Sequence, residues 1–157
     1  MVGDLIAGRV SIGFLLLLTC LGSARAVISS DPPDAKQPYQ QAVTKLTAMA
    51  TDAMHQIDAD TVDWLPAVQR LIDDGKIDEA HVQARLDITQ LKVFRDGSVR
   101  DLRAAGIDYE NRLRTLRAFN LAMDLHRLVN GRLVPAVQAD CDGSVRKFRA
   151  LFADGSV

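Results

Sequence analysis

Between Tyr39 and Ile57 the residues Tyr39, Val43, Leu46, Ala50, Ala53 and Ile57 are spaced 4, 3, 4, 3 and 4 apart. Ala42, Met49 and Met54 flank this seam. Gln40, Gln41, Lys45, Thr51, Asp52 and His55 mostly fall off it. Apolar residues recurring at helical spacing over several turns commit the segment to a helix that packs on other helices. No stretch of the chain alternates apolar and polar residues between turn signals, which argues against a sheet. An all-α fold is therefore expected.

Punctuation then divides the chain. Asp58-Ala59-Asp60-Thr61 reads as a break, with Asp63 as N-cap of a second, shorter helix. Pro66 would sit in its first turn, where a missing N–H costs little. Val68, Leu71 and Ile72 would form its apolar face, and Gly75 would end it in a left-handed conformation. A third helix is expected from Asp78, its cap, to about Ala105. Its apolar residues include Val82, Leu86, Ile88, Leu91, Val93, Phe94, Val99 and Leu102, with Gly97-Ser98 as a weak point. Gly106 punctuates, Asp108 caps a fourth helix, and Asn130-Gly131 stops it. That fourth helix carries Leu113, Leu116, Phe119, Leu121, Met123, Leu125, Leu128 and Val129, apolar over much of its circumference, and so is expected to be the most buried. A last segment starts near Leu133-Val134-Pro135 and runs through Val145, Phe148, Leu151 and Phe152. The expected fold is a four- to five-helix bundle over residues 38–157, following an N-terminal signal peptide.

The signal peptide is read from residues 1–26. Arg9 precedes an apolar run from Val10 to Leu21, and small residues ending in Ala24-Arg25-Ala26 follow, the order of a secretory leader with an A-x-A cleavage site. The run is too short to span a bilayer, which takes roughly 20 residues. Cleavage after Ala26 gives a periplasmic or secreted chain. Acylation of Cys20, after Leu17-Leu18-Thr19, is the lipoprotein alternative. Residues 27–37, with Asp31-Pro32-Pro33-Asp34, read as a disordered lead-in.

The remaining 131 residues suffice for one domain with a core of its own. Their 17 Lys and Arg against 19 Asp and Glu leave no field that would draw the chain to nucleic acid. Cys141 would be the single cysteine left, which rules out an internal disulfide and favours a buried thiol. The bias to 14 Arg over 5 Lys and 18 Asp over 2 Glu suits a GC-rich bacterial genome.

Chemistry-bearing motifs are sparse. Gly75-Lys76-Ile77-Asp78-Glu79-Ala80 resembles the turn between the two helices of a tetratricopeptide repeat, over those six residues. Its physical content is a glycine that ends one helix and an aspartate that caps the next. The three histidines are not paired with carboxylates on one inward helix face, so no metal and no cofactor is expected. There is no Gly-x-Ser-x-Gly, no His-Glu-x-x-His and no glycine-rich phosphate loop. Arg112, Arg114 and Arg117, with Arg100 and Arg103 upstream, are the candidates for holding an anionic ligand, as inward arginines do in secreted chorismate mutases. Acid-to-base pairs four apart, such as Glu110 with Arg114, equally dress a solvated helix face. Trp64, the single tryptophan, is the candidate binding anchor beside the expected break at Asp60.

These features point to an exported, non-catalytic helical binding protein of the bacterial cell envelope, of inhibitor, immunity or adaptor type. Its partner would be another envelope or secreted protein. The alternative is a small anionic-ligand-binding or enzymatic bundle using the arginines around residues 112–117. A homodimer whose seam is completed by a second copy is the third reading.

Overall fold

A computed structural model describes residues 31–153 and 155–157. The expected signal peptide, Cys20 and the first residues of the lead-in lie outside the described residues. The described chain is all-helical, with no strand among those residues. Its elements are a 3-10 turn (Pro33–Ala35), α1 (Lys36–Asp73), α2 (Ile77–Thr115), α3 (Phe119–Leu128), a π turn (Val129–Leu133) and α4 (Val134–Arg149). Because α3 runs through the π turn into α4, the expected four or five helices reduce to three long rods, each packed on the other two.

Neither expected break in the first two rods exists. α1 passes straight through Asp58–Thr61 because its buried positions continue in step: Leu46, Ala50, Ala53, Ile57, Thr61 and Val68. Thr61 is buried, and its hydroxyl donates to the Ile57 carbonyl at 2.7 Å, so the one polar group on the seam is satisfied inside the helix. Asp63 is therefore no cap, and Pro66 lies inside the helix. Having no N–H, it forgoes the bond to the Val62 carbonyl, on a face where both residues are exposed. In α2, Gly106 is not punctuation. A Cβ there would meet Val129 Cγ2 at 3.1 Å, so glycine sits where α2 closely approaches the start of the π turn. Asp108 lies mid-helix, bound to Arg112 at 2.8 Å.

Both reversals between rods use the same hydrogen-bond pattern. In the first, Gly75 has φ +75°, Lys76 N–H donates to the Leu71 carbonyl and Gly75 N–H to that of Ile72. In the second, Arg117 has φ +59°, Ala118 N–H donates to Leu113 and Arg117 N–H to Arg114. These are Schellman closures, which need a left-handed residue just past the helix. Glycine adopts that conformation freely; an arginine pays about 1 kcal/mol or more. Arg117→Gly is therefore expected to stabilise the protein by about 1 kcal/mol, read as a raised midpoint in urea. Asp78 belongs to the first turn of α2 and opposes its dipole, while Lys76 holds the N-cap position.

The third rod continues where Asn130-Gly131 was expected to stop it. Pro135 has no N–H, and its ring crowds the carbonyl four residues back. The backbone widens there: Val134 N–H bonds the Val129 carbonyl, five residues away, which is the π turn. The start of this rod is capped from far off in sequence. Asp31 Oδ1 and Oδ2 accept from the N–H groups of Asn120 and Leu121, each at 3.2 Å. Ala35 is fully buried, so residues 31–35 of the expected disordered lead-in are an ordered part of the domain. At the other end the tail folds onto α2. Phe152 is buried against the His81 ring, Ser156 Oγ lies 2.6 Å from His81 Nε2, and Arg85 donates to the Ser156 carbonyl at 2.9 Å.

The core is built largely of alanine and valine with a few large residues. Leu46, Ile57, Leu91, Leu102, Leu113, Leu125 and Phe148 are the largest apolar side chains removed from solvent. The fourth expected helix is not the most buried one. It is divided between the ends of α2 and α3, and Leu116, Phe119 and Met123 are exposed. No helix among the described residues is long and apolar enough to cross a membrane.

Candidate functional site

The turn between α2 and α3 collects exposed apolar and cationic side chains. Phe119 is 59 % exposed, and Met123 one turn on and Leu116 in the turn itself are exposed with it. Phe119 and Met123, four apart, share one face of α3. Arg112, Arg114 and Arg117 flank this patch on the last turn of α2 and in the reversal. All three are exposed. The Arg112 guanidinium is held by Asp108 and lies 5.4 Å from the centre of the Tyr109 ring. Arg114 and Arg117 form no ion pair among the described residues. Arg112 and Arg114 also complement the negative C-terminal end of the α2 dipole.

Among the described residues, none of the three arginines lines the grooves between the rods. One groove of the described chain runs between α1 and α2, lined by Met49, Gln56 and Phe94 together with the carboxylates of Asp52, Asp60 and Asp101. Such a groove repels an anion. A second open groove lies beside the π turn, where Tyr39 and Val43 of α1 face Arg127 and Arg132. Arg127 there is bound to Asp124 at 3.2 Å. Arg100, on the outer part of α2, pairs with its neighbour Asp101, and Arg103 is exposed.

Trp64 stands in mid-helix rather than at a helix end, half-buried against the core. The histidines are distributed among the rods. His55 is exposed, His81 is taken up by Phe152 and Ser156, and His126 Nδ1 lies 3.1 Å from Oε1 of the buried Glu110. Among the described residues no group of three or more His, Cys, Asp or Glu side chains is placed to hold a metal ion. Cys141 is buried, its thiol donating to the Leu91 carbonyl at 3.7 Å. Burial pushes that thiol up, only partly offset by Arg95.

Asp87 is buried on the inner face of α2. Asp87 Oδ1 accepts from the Gln83 amide at 2.7 Å, while Oδ2 is buried with no partner. Burial pushes this carboxyl above its usual range, against the opposing pull of the Gln83 bond. An acid raised in the folded state binds more protons folded than unfolded. Its ionisation therefore removes stability as pH rises from the unfolded value of 3.8 through the raised one. Asp87→Asn keeps the acceptor for Gln83 and removes the charge. It is expected to raise stability at pH 7, an advantage that shrinks as pH falls and the wild-type acid protonates. Thermal melts of both proteins at pH 7 and at lower pH check this.

Sequence reasoning marked the three arginines but missed the apolar patch they flank. Phe119 and Met123 fall in a run whose apolar residues surround a whole helix, and no glycine or proline marks the reversal that splits it. Arg117 is the turn residue, and nothing in its side chain announces a left-handed backbone. Comparison of the chain with protein-family models, with curated proteins and with solved structures finds no match.

Proposed function

We propose that this protein is exported by cleavage after Ala26 and acts as a non-catalytic binding protein of the bacterial cell envelope, of inhibitor, immunity or adaptor type. It engages another envelope or secreted protein through the α2–α3 end. The observation that carries this reading is the exposed Leu116–Phe119–Met123 patch flanked by Arg114 and Arg117. A solvent-exposed phenylalanine and methionine beside arginines have the composition of an interface centre, where aromatic residues, Met and Arg are enriched. The matching partner surface is an apolar socket with a carboxylate rim.

The test places a photo-cross-linking amino acid at position 119 and, as a control, at exposed Gln40 on α1, in cells carrying the full-length chain. The expected result is a defined adduct in the envelope fraction from position 119 only, abolished when Arg114→Glu and Arg117→Glu are added. Equal adducts from both positions, or none from 119, would refute the assignment. N-terminal sequencing of the accumulated protein checks export separately, with Val27 expected as the first residue.

A further inference from the structure

We propose that the outward face of α2 is a homodimer seam on which a second copy of this chain packs antiparallel, about a two-fold axis level with Arg95. The seam is the side of α2 opposite its buried residues. Val82, Leu86, Val93 and Ile107 are between 51 and 67 % exposed. Leu86, Val93, Arg100 and Ile107 follow one another at intervals of 7, the repeat of helices that wrap on a partner helix. Among the described residues these four side chains stay exposed.

Gly97 supplies a second, independent sign. It sits inside α2 on the same outward side, where glycine weakens a helix by about 1 kcal/mol relative to alanine. A Cβ added there would meet nothing within 4 Å, whereas one at Gly106 would press on Val129. The single chain thus gives Gly97 no steric reason. A neighbouring helix does. In the antiparallel register centred on Arg95, Val93 of one copy faces Gly97 of the other and Leu86 faces Ala104. At both levels a larger side chain meets a much smaller one. A parallel pair would set Arg100 against Arg100 and Val93 against Val93, losing both matches.

The contact from Asp78 to Arg112 is about 50 Å long and about 10 Å wide, hence roughly 500 Å² per copy and 1,000 Å² in total. That is the lower edge of specific interfaces and corresponds to association in the micromolar range. The arrangement sends the two α2–α3 ends in opposite directions, leaving both patches open, so it stands whether or not the proposed function does.

The experiment is sedimentation velocity on the protein as it accumulates from the full-length chain, from about 1 to 200 µM. A monomer-to-dimer shift across that range is expected. Val93→Glu and Gly97→Leu should each weaken association at least about tenfold. Gly97→Leu improves helix propensity, so a melting temperature equal to or above wild type shows that the loss is not unfolding. Disulfide formation between mixed copies carrying Val93→Cys and Gly97→Cys should exceed that between Val93→Cys and Val82→Cys. A monomer throughout the range, a dimer unaffected by both substitutions, or preferential 93–82 cross-linking would each overturn the proposal.

Discussion

Phe148→Ala is expected to lower the unfolding free energy by about 3–5 kcal/mol, the largest loss from any single truncation in this core. Phe148 is fully buried on α4 and is the largest side chain so enclosed. The core that the rods form is rich in small residues, with Ala42, Ala50 and Ala53 buried on α1 and Ala80 and Ala84 on α2. Alanines have no side chain with which to fill a phenylalanine-sized void, so the cavity persists and adds to the lost transfer energy. A domain of this size has about 5–15 kcal/mol in all, so the variant should be partly unfolded on mild heating. Urea denaturation measures the difference. A loss below about 1 kcal/mol would show that α4 is not packed as described.

Gly106→Leu is expected to cost about 2–3 kcal/mol, from overpacking rather than from a cavity. At Gly106 the rods are so close that even a methyl group would stand 3.1 Å from Val129 Cγ2 and 3.4 Å from Cγ1. A leucine must displace Val129 and the π turn that begins with it. Gly106→Ala should come out near neutral, because about 1 kcal/mol of helix propensity offsets the small shift asked of Val129. The contact can be isolated by a double-mutant cycle. Val129→Ala destabilises the wild type but should recover part of the Gly106→Leu loss, giving a coupling energy on the order of 1 kcal/mol. Additive losses would mean that the two residues do not meet.

Asp87 and Arg117 oppose the two large losses in sign, since replacing either is expected to stabilise the fold. Asp87 is a carboxylate with one oxygen enclosed and unpartnered. Arg117 is an arginine in the backbone conformation that its counterpart turn gives to Gly75. Both lower stability without contributing to the core, as residues retained for a task commonly do. For Arg117 the α2–α3 binding end offers such a task. For Asp87 the structure offers none.

The spacing of Tyr39, Val43, Leu46, Ala50, Ala53 and Ile57 was enough to establish helicity, because a 3.6-residue period has one physical interpretation over several turns. Gly75 was legible for the same reason: a glycine after a run of helical spacing marks a left-handed closure. The other punctuation misled. Asp63, Gly106, Asp108 and Asn130-Gly131 carry the residue types of caps and stops, yet all lie within continuous rods. Local propensity is worth a few tenths to about 1 kcal/mol per residue, and burial along an uninterrupted seam outweighs it.

Spacing along the chain thus fixed helicity and the first reversal. Three properties came only from packing: the number of rods, the capping of α3 by Asp31 across the whole domain, and which apolar residues face water. The physical reason is common to all three. A helix with apolar residues on two sides can bury only the side its neighbours reach, and those neighbours are set by where the chain turns. One of the two turns rests on Arg117, whose backbone angle is imposed by the closing hydrogen bonds of Leu113 and Arg114 and carries no mark in residue type. With the reversal placed there, Phe119 and Met123 fall on the outside of the third rod, and Val82, Leu86 and Val93 on the outside of the second.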